Sequence, residues 1–252
     1  MIEKYLNRII QGDCLETLRL LPNNSIDAVI TDPPYCSGGR SIGAKIQSTT
    51  NKYENYPQGR PDFLGDAKDG RSWLMWCNLW IAECFRTLKE GGYFLMFCDW
   101  RQLPTATDAL QIGGISWRGV IVWNKGLGSR APHKGYFRHQ CEFILWGTKG
   151  PCNIQNNGPF PGCYEEHVRQ TDKHHIAGKP TALMEELCKV IPYDGIILDP
   201  FAGSGTTCVA ALKTGHQYIG IEKMPEYCEI SNQRLRQITE ERSMGLFDMN
   251  AV

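Results

Sequence analysis

Residues Tyr93 to Cys98, YFLMFC, form an apolar run without polar interruption, and this stretch limits the possible folds more than any other. A half-exposed strand would alternate, and an amphipathic helix would repeat at helical spacing. A short unbroken run fits a strand covered on both faces, which requires a layer of structure on each side. The segment Gly195-Ile196-Ile197-Leu198-Asp199 has the same character.

Helical and strand patterns alternate around these two runs. Arg8–Gln11 and Asp27–Thr31 read as strands, and Trp73–Leu88 carries apolar residues at helical spacing, with Lys89-Glu90-Gly91-Gly92 expected to close that helix. A helix over Gln102–Leu110 and strands over Gly119–Trp123 and Glu142–Trp146 follow. The chain then reads as helix Thr181–Val190, the strand ending at Asp199, helix Thr206–Thr214, strand Gln217–Ile221 and helix Glu226–Glu241. Such alternation predicts a doubly wound α/β sheet. Two polar stretches without periodicity, at about 36–72 and 148–174, read as loop insertions, which in an open α/β sheet gather at the strand ends around the ligand crevice. A single domain over 1–252 accommodates all of this.

Composition narrows the function classes little. Lys+Arg and Asp+Glu stand at 27 each, so any basic surface has to come from local clustering. No apolar run approaches the roughly 18 residues of a membrane span, and a cytosolic protein is the expectation. The 11 cysteines include no C-x-x-C pair and fall largely in apolar segments, as buried free thiols do. Cys152, Cys163, His167, His174 and His175 match no common zinc spacing, so no metal is expected.

The turn Asp199-Pro200-Phe201-Ala202-Gly203-Ser204-Gly205-Thr206-Thr207 joins a strand to a helix. Its glycines permit a tight turn and close approach of a ligand to the backbone. The next strand leads into Glu222, suited to accept from two ribose hydroxyls. A phosphate-binding loop would need a lysine, which is missing, and a dinucleotide fingerprint would need glycine where Cys208 stands. A helix start with glycines for packing is the remaining alternative.

The second constellation is Asp32-Pro33-Pro34-Tyr35, directly after a buried strand. Two prolines cannot continue a ladder and fix a rigid, extended exit. The Asp32 carboxylate and the Pro33 carbonyl can each accept one proton of a planar amine, drawing its nitrogen toward tetrahedral geometry and freeing the lone pair. Tyr35 offers a ring on which a base stacks. A solvent turn, where Asp-Pro is common, is the alternative.

Taken together, Asp32-Pro33-Pro34-Tyr35 after one strand and Asp199-Pro200-Phe201-x-Gly203-x-Gly205-Thr206 after another resemble the amino-methyltransferases of DNA. The order, with the catalytic motif before the cofactor loop, resembles their β class. The resemblance runs from Ile9 to about Arg236. It implies a circularly permuted, mainly parallel seven-stranded sheet and S-adenosylmethionine as cofactor. By similarity Asp32, Pro33, Pro34 and Tyr35 are catalytic. Phe201, Ala202, Gly203, Ser204, Gly205 and Thr206, with Asp199, line the cofactor, Glu222 holds its ribose, and Asp13 with neighbouring Cys14 meets its adenine. Lys179-Pro180 resembles the segment before the helix that borders the methionine moiety.

The partner expected from the resemblance is double-stranded DNA with one base flipped out, and a homodimer is a further expectation. Arg118 to Lys149 holds six basic residues against one acid, Glu142, interleaved with Gly126, Gly128, Gly135, Tyr136 and Phe137. Lys125, Arg130, Lys134 and Arg138 are the candidate DNA contacts in that loop, at about 125–138. The reaction expected is direct attack of N6 of adenine on the sulfonium methyl, without a cysteine nucleophile although Cys36 is adjacent. N4 of cytosine presents the same two protons and is the alternative within DNA, and RNA or a protein amide are further alternatives. A rival of another class is a non-catalytic DNA-binding module that keeps the fold.

Overall fold

The computed structural model describes residues 2–36, 67–127, 134–152, 158–167 and 178–243. Among these residues lie eight strands in one sheet and six helices of the α class. The strands are β1 (Arg8–Gln11), β2 (Ile26–Thr31), β3 (Leu88–Cys98), β4 (Ser116–Asn124), β5 (Cys141–Thr148), β6 (Cys163–Glu165), β7 (Ile196–Asp199) and β8 (Gln217–Glu222). The helices are α1 (Cys14–Leu18), α2 (Gly70–Thr87), α3 (Leu103–Ile112), α4 (Thr181–Cys188), α5 (Thr206–Lys213) and α6 (Pro225–Ser243).

The sheet order is β1-β8-β7-β2-β3-β5-β4-β6. From β1 through β3 every neighbour is parallel, whereas β5 runs antiparallel to both β3 and β4. The expected α/β sheet is therefore present, extended by one strand. That addition, β6, pairs parallel to β4 over three residues inside a stretch read as loop. Three residues are too few to show a period.

β3 is covered on both sides, as its apolar run demands. Phe94, Met96 and Cys98 face a core shared with Trp73, Cys77, Trp80, Ile81 and Cys84 of α2 and with α3. Leu95 and Phe97 face the opposite core, with Leu183, Met184 and Leu187 of α4 and the buried face of α5. Each fully buried Phe contributes about 1.5–3 kcal/mol by leaving water. The first core also takes in α1, for which Asp13 is the N-cap, accepting from the Leu15 N–H.

The end of α2 differs from expectation. Lys89-Glu90-Gly91-Gly92 does not cap the helix but already belongs to β3, with Gly91 at φ +76°. The reason is pairing: Arg86 and Thr87 carbonyls accept from Asn24 and Ser25, and Gly91 and Gly92 exchange backbone bonds with Lys149. Lys89 Nζ also reaches both Asp27 carboxylate oxygens at 2.8 Å.

Registry decides where the loops emerge. Thr31 lies beside Met96, Cys98 beside Phe143, and Asn124 beside Cys141. The end of β4 and the start of β5 therefore sit at the same edge as the carboxyl ends of β2 and β3. The two motif strands β2 and β7 are direct neighbours.

Candidate active site

Asp32 leaves β2 at its carboxyl end, and both of its oxygens are engaged. The Tyr35 hydroxyl donates to Oδ1 in a short contact, and Lys179 Nζ lies 2.5 Å from Oδ2. The backbone of the motif is held from two helices and their flanks. Trp73 of α2 donates its indole N–H to the Pro34 carbonyl at 2.7 Å, and Gln102 donates its amide to the Tyr35 carbonyl at 2.8 Å. No hydrogen bond to the Pro33 carbonyl is found among the described residues. The Pro33 carbonyl is thus an open acceptor beside the Asp32 carboxylate, whose oxygens each already take one donor.

A line of charges continues behind Asp32. Lys179 Nζ is 3.5 Å from Glu142 Oε2, and Glu142 Oε1 accepts from Lys125 Nζ at 2.8 Å. Lys179 also stands 5.3 Å from the ring centroids of both Tyr35 and Phe97. Burial pushes the Asp32 carboxyl above its ordinary value, opposed by the Lys179 ammonium and the Tyr35 hydroxyl. Burial also works to raise Glu142, but Lys179 and Lys125 hold it below the usual range. Burial would lower Lys179, yet the two carboxylates keep it above the usual lysine value. With Lys125, two cations and two anions balance within this cluster.

The glycine turn is built by long-range braces. Asp199 accepts from the Thr31 hydroxyl at 2.7 Å and from the Phe201 N–H at 3.0 Å. Gly203 and Gly205 take left-handed φ values of +51° and +79°. The Gly203 N–H donates to Glu222 Oε2 at 2.9 Å, and Ser231 of α6 donates to the Gly203 carbonyl at 2.7 Å. Arg234, buried on the same helix, donates to the Ser204 carbonyl at 2.6 Å and to the Thr206 hydroxyl at 3.1 Å. Ala202 is buried under the turn, and Phe201 packs its ring against Trp76 and Trp80, with centroids 5.3 and 5.0 Å apart.

Asp13 and Glu222 sit at the ends of adjacent parallel strands, where Gly12 donates to the Glu222 carbonyl. Glu222 also accepts from the Met224 N–H, and Asp13 from Lys223 at 3.2 Å. Each of these carboxylate oxygens keeps lone-pair capacity beyond one bond. Cys14 is buried behind Asp13, and burial pushes its thiol up to about 12. Pro180 is the N-cap residue of α4, next to Lys179. The expected catalytic and cofactor residues are therefore gathered along one edge of the sheet. Lys179, expected at the cofactor, donates to Asp32.

The basic segment divides. Lys125 turns inward to Glu142. Arg118 and Lys149 belong to the opposite end of the β4–β5 pair, where Lys149 is buried and donates to Asn24 Oδ1 and the Leu88 carbonyl. Lys134 is exposed, Arg138 donates to the Leu127 carbonyl, and Arg130 lies outside the described residues. Beside them Phe137 is 93% exposed, and Trp100 stacks on His139 with centroids 5.1 Å apart. The local positive charge near the site is smaller than the count along the chain, because paired and distant residues drop out.

Several site residues carry weak sequence signals. Glu142 stood only as the one acid of a basic stretch, and Arg234 and Ser231 as part of a polar helix. Asp13 followed by Glu16 is a helix-start pattern that announces α1. Of the metal candidates, His174 and His175 lie outside the described residues. No metal-binding group of three or more His, Cys, Asp or Glu occurs among the described ones.

The model of a family described as DNA methylase, the N6/N4 methyltransferases, matches residues 26–233. YubD of Escherichia coli (strain K12), named as a methylase, is 34% identical over 242 residues, covering 95% of each chain. Two solved structures share the fold. A DNA modification methylase of Thermus thermophilus, TTHA0409, complexed with S-adenosyl-L-methionine, is 22% identical with a TM-score of 0.67, over 92% of this chain and 95% of that one. PvuII DNA methyltransferase, cytosine-N4-specific, is 16% identical with a TM-score of 0.68, over 98% of both.

Proposed function

The chain belongs to the N6/N4 DNA methylase family, and on that premise we propose that it methylates the exocyclic amine of a flipped DNA base, N6 of adenine in first place. The observation that carries this reading is the acceptor pair at the end of β2, fixed beside the glycine turn by the Thr31–Asp199 bond. S-adenosylmethionine, when bound, supplies an electrophilic methyl group on a sulfonium.

The residues present fit that cofactor. Carboxylates of Asp13 and Glu222 suit an amine and ribose hydroxyls, Phe201 offers an apolar edge, and the turn lacks a lysine that phosphates would call for. Asp32 and the Pro33 carbonyl orient the target amine, and Tyr35 stacks on the base. With that cofactor bound, an amine held this way would present its lone pair to the methyl group, and sulfur would keep the electron pair of the broken C–S bond. The surplus proton leaves the nitrogen toward Asp32, the nearest base, and passes on to water. Catalysis here is positioning plus electrostatics, with no covalent bond to the enzyme.

Aspartate at the first motif position supports adenine over cytosine in this family resemblance. N4 of cytosine is the second reading, because PvuII methyltransferase shares the fold and carries that specificity. The test is transfer of labelled methyl from S-adenosylmethionine to unmodified genomic DNA, followed by mass spectrometry of the nucleosides. Label in N6-methyladenine, lost in Asp32→Ala while cofactor binding persists, is the expected result. Label in N4-methylcytosine would keep the mechanism and change the base, and no label in DNA would overturn the reading.

A further inference from the structure

Lys179 belongs to neither motif strand, yet among the described residues it is the cation closest to Asp32. Its side chain is 7% exposed, so the ammonium is held away from water between two carboxylates. One of them, Asp32 Oδ2, is at 2.5 Å, and the other, Glu142 Oε2, is at 3.5 Å. Glu142 Oε2 is buried and makes no hydrogen bond among the described residues, while Oε1 is fixed by Lys125. Its contact with the Lys179 ammonium, at 3.5 Å, is longer than a charge-assisted hydrogen bond, so this oxygen can take that donor more closely. An amine that donates to Asp32 has to share or replace a donor already there, and the Tyr35 hydroxyl is tied to its own ring.

We propose that Lys179 is a positioning residue for methyl transfer, holding Asp32 as an anionic acceptor and shifting to Glu142 Oε2 as the target amine takes its place on Oδ2. This rests on the function proposed above. The shift is short: it closes the existing 3.5 Å ion pair to a charge-assisted hydrogen bond of about 2.8 Å. It keeps the ammonium buried and paired in both positions. It also leaves the carboxylate more negative toward a nitrogen that becomes positive during attack. Lys125 on the far oxygen keeps Glu142 ionised and ready for the exchange.

Three variants test it: Lys179→Met, Lys179→Arg and Glu142→Gln. The groups facing Asp32 are Tyr35, Lys179, Glu142, Cys98 on β3 and Asp199 on β7, so the pH response is read by difference from wild type. In Lys179→Met the turnover rate falls by about 100-fold, as for a displaced reacting group, with cofactor affinity nearly unchanged. Its acid limb moves to higher pH by about 1–3 units, because Asp32 loses its neighbouring cation. Lys179→Arg restores part of the rate, and Glu142→Gln slows turnover without moving the KM for DNA.

A second readout does not depend on activity. Asp32 is followed by carbon NMR of carboxyl-labelled aspartate, assigned with Asp32→Asn, and its titration should rise in Lys179→Met. An unmoved Asp32 titration overturns the inference, as does Lys179→Met with normal rate and pH profile. Loss of cofactor affinity in step with rate also overturns it, placing Lys179 at the cofactor instead. Wild-type protein that transfers no methyl to DNA defeats the proposed function alone, and the carboxyl titration then decides the Lys179–Asp32 coupling.

Discussion

The Thr31 hydroxyl donates to the Asp199 carboxylate at 2.7 Å, linking two neighbouring strands whose residues are 168 positions apart in the chain. Asp32 follows Thr31, and the glycine turn follows Asp199. Added to the β2–β7 ladder, this hydrogen bond ties the residue that would orient the amine to the loop that would hold the cofactor. Replacing Thr31 by Val keeps the shape and removes the donor. Since bonds to charged acceptors contribute roughly 1.5–3 kcal/mol, the urea midpoint should drop accordingly. Cofactor affinity by calorimetry should weaken with it, and Thr31→Ser should retain both. An unchanged midpoint in the valine variant would mean the bond does not couple the strands.

Tyr35 combines two roles that substitution can separate. Its ring is the proposed stacking surface, and its hydroxyl donates to Asp32. Tyr35→Phe keeps the ring and should cost less than Tyr35→Ala in kcat/KM for DNA. Stacking of about 1–3 kcal/mol per base sets the difference at roughly 5- to 150-fold. Equal losses in the two variants would assign the whole effect to the hydroxyl.

Legibility of the sequence varied with the range of the interaction. β3 and β7 could be placed because their side chains are buried on both faces, and that burial writes itself into consecutive residues. Asp32 to Tyr35 was readable because prolines have few conformations. The Lys179–Asp32 pair spans 147 positions and depends on sheet order, which local pattern does not encode. Glu142 reaches Lys179 only because β5 turns antiparallel beside β3. For the same reason Lys125, which along the chain looks like a phosphate contact, points into the site. Arg234 and Ser231 brace the turn from a helix that reads as generally polar.

Gly205 is required by its backbone and by its neighbour. At φ +79° a side chain is strained, and a Cβ there would lie 3.0 Å from both Cβ and Oγ of Ser231. Gly205→Ala should cost about 1–2 kcal/mol for the left-handed conformation alone. It should also displace Ser231 from the Gly203 carbonyl and loosen the turn. Thermal unfolding and cofactor titration are the measurements. The expected pattern is a lower midpoint together with weaker cofactor binding, and normal binding would show that the turn's shape is dispensable.

Asp199 gives a pH dependence whose sign is fixed by its burial. Burial pushes its carboxyl up to about 6, with hydrogen bonds from Thr207, Thr31 and the Phe201 N–H pulling the other way. The folded protein therefore binds this proton more tightly than the unfolded chain. Between the ordinary value of 3.8 and about 6, stability should fall as pH rises, because the fold must give up a proton it prefers to keep. That gap corresponds to about 3 kcal/mol, fully expressed above the upper value and absent below the lower one. Asp199→Asn preserves an acceptor for Thr31 and for the Phe201 N–H but cannot titrate. The stability difference, variant minus wild type, should thus grow in the variant's favour from about pH 4 to about pH 6.5. Subtraction removes the titrations common to both proteins, Glu222 among them, and leaves Asp199 with the part of Asp32 that is coupled to it. Parallel stability curves would mean that Asp199 titrates alike in the folded and unfolded chains, and that the Thr31 bond faces no opposing burial cost.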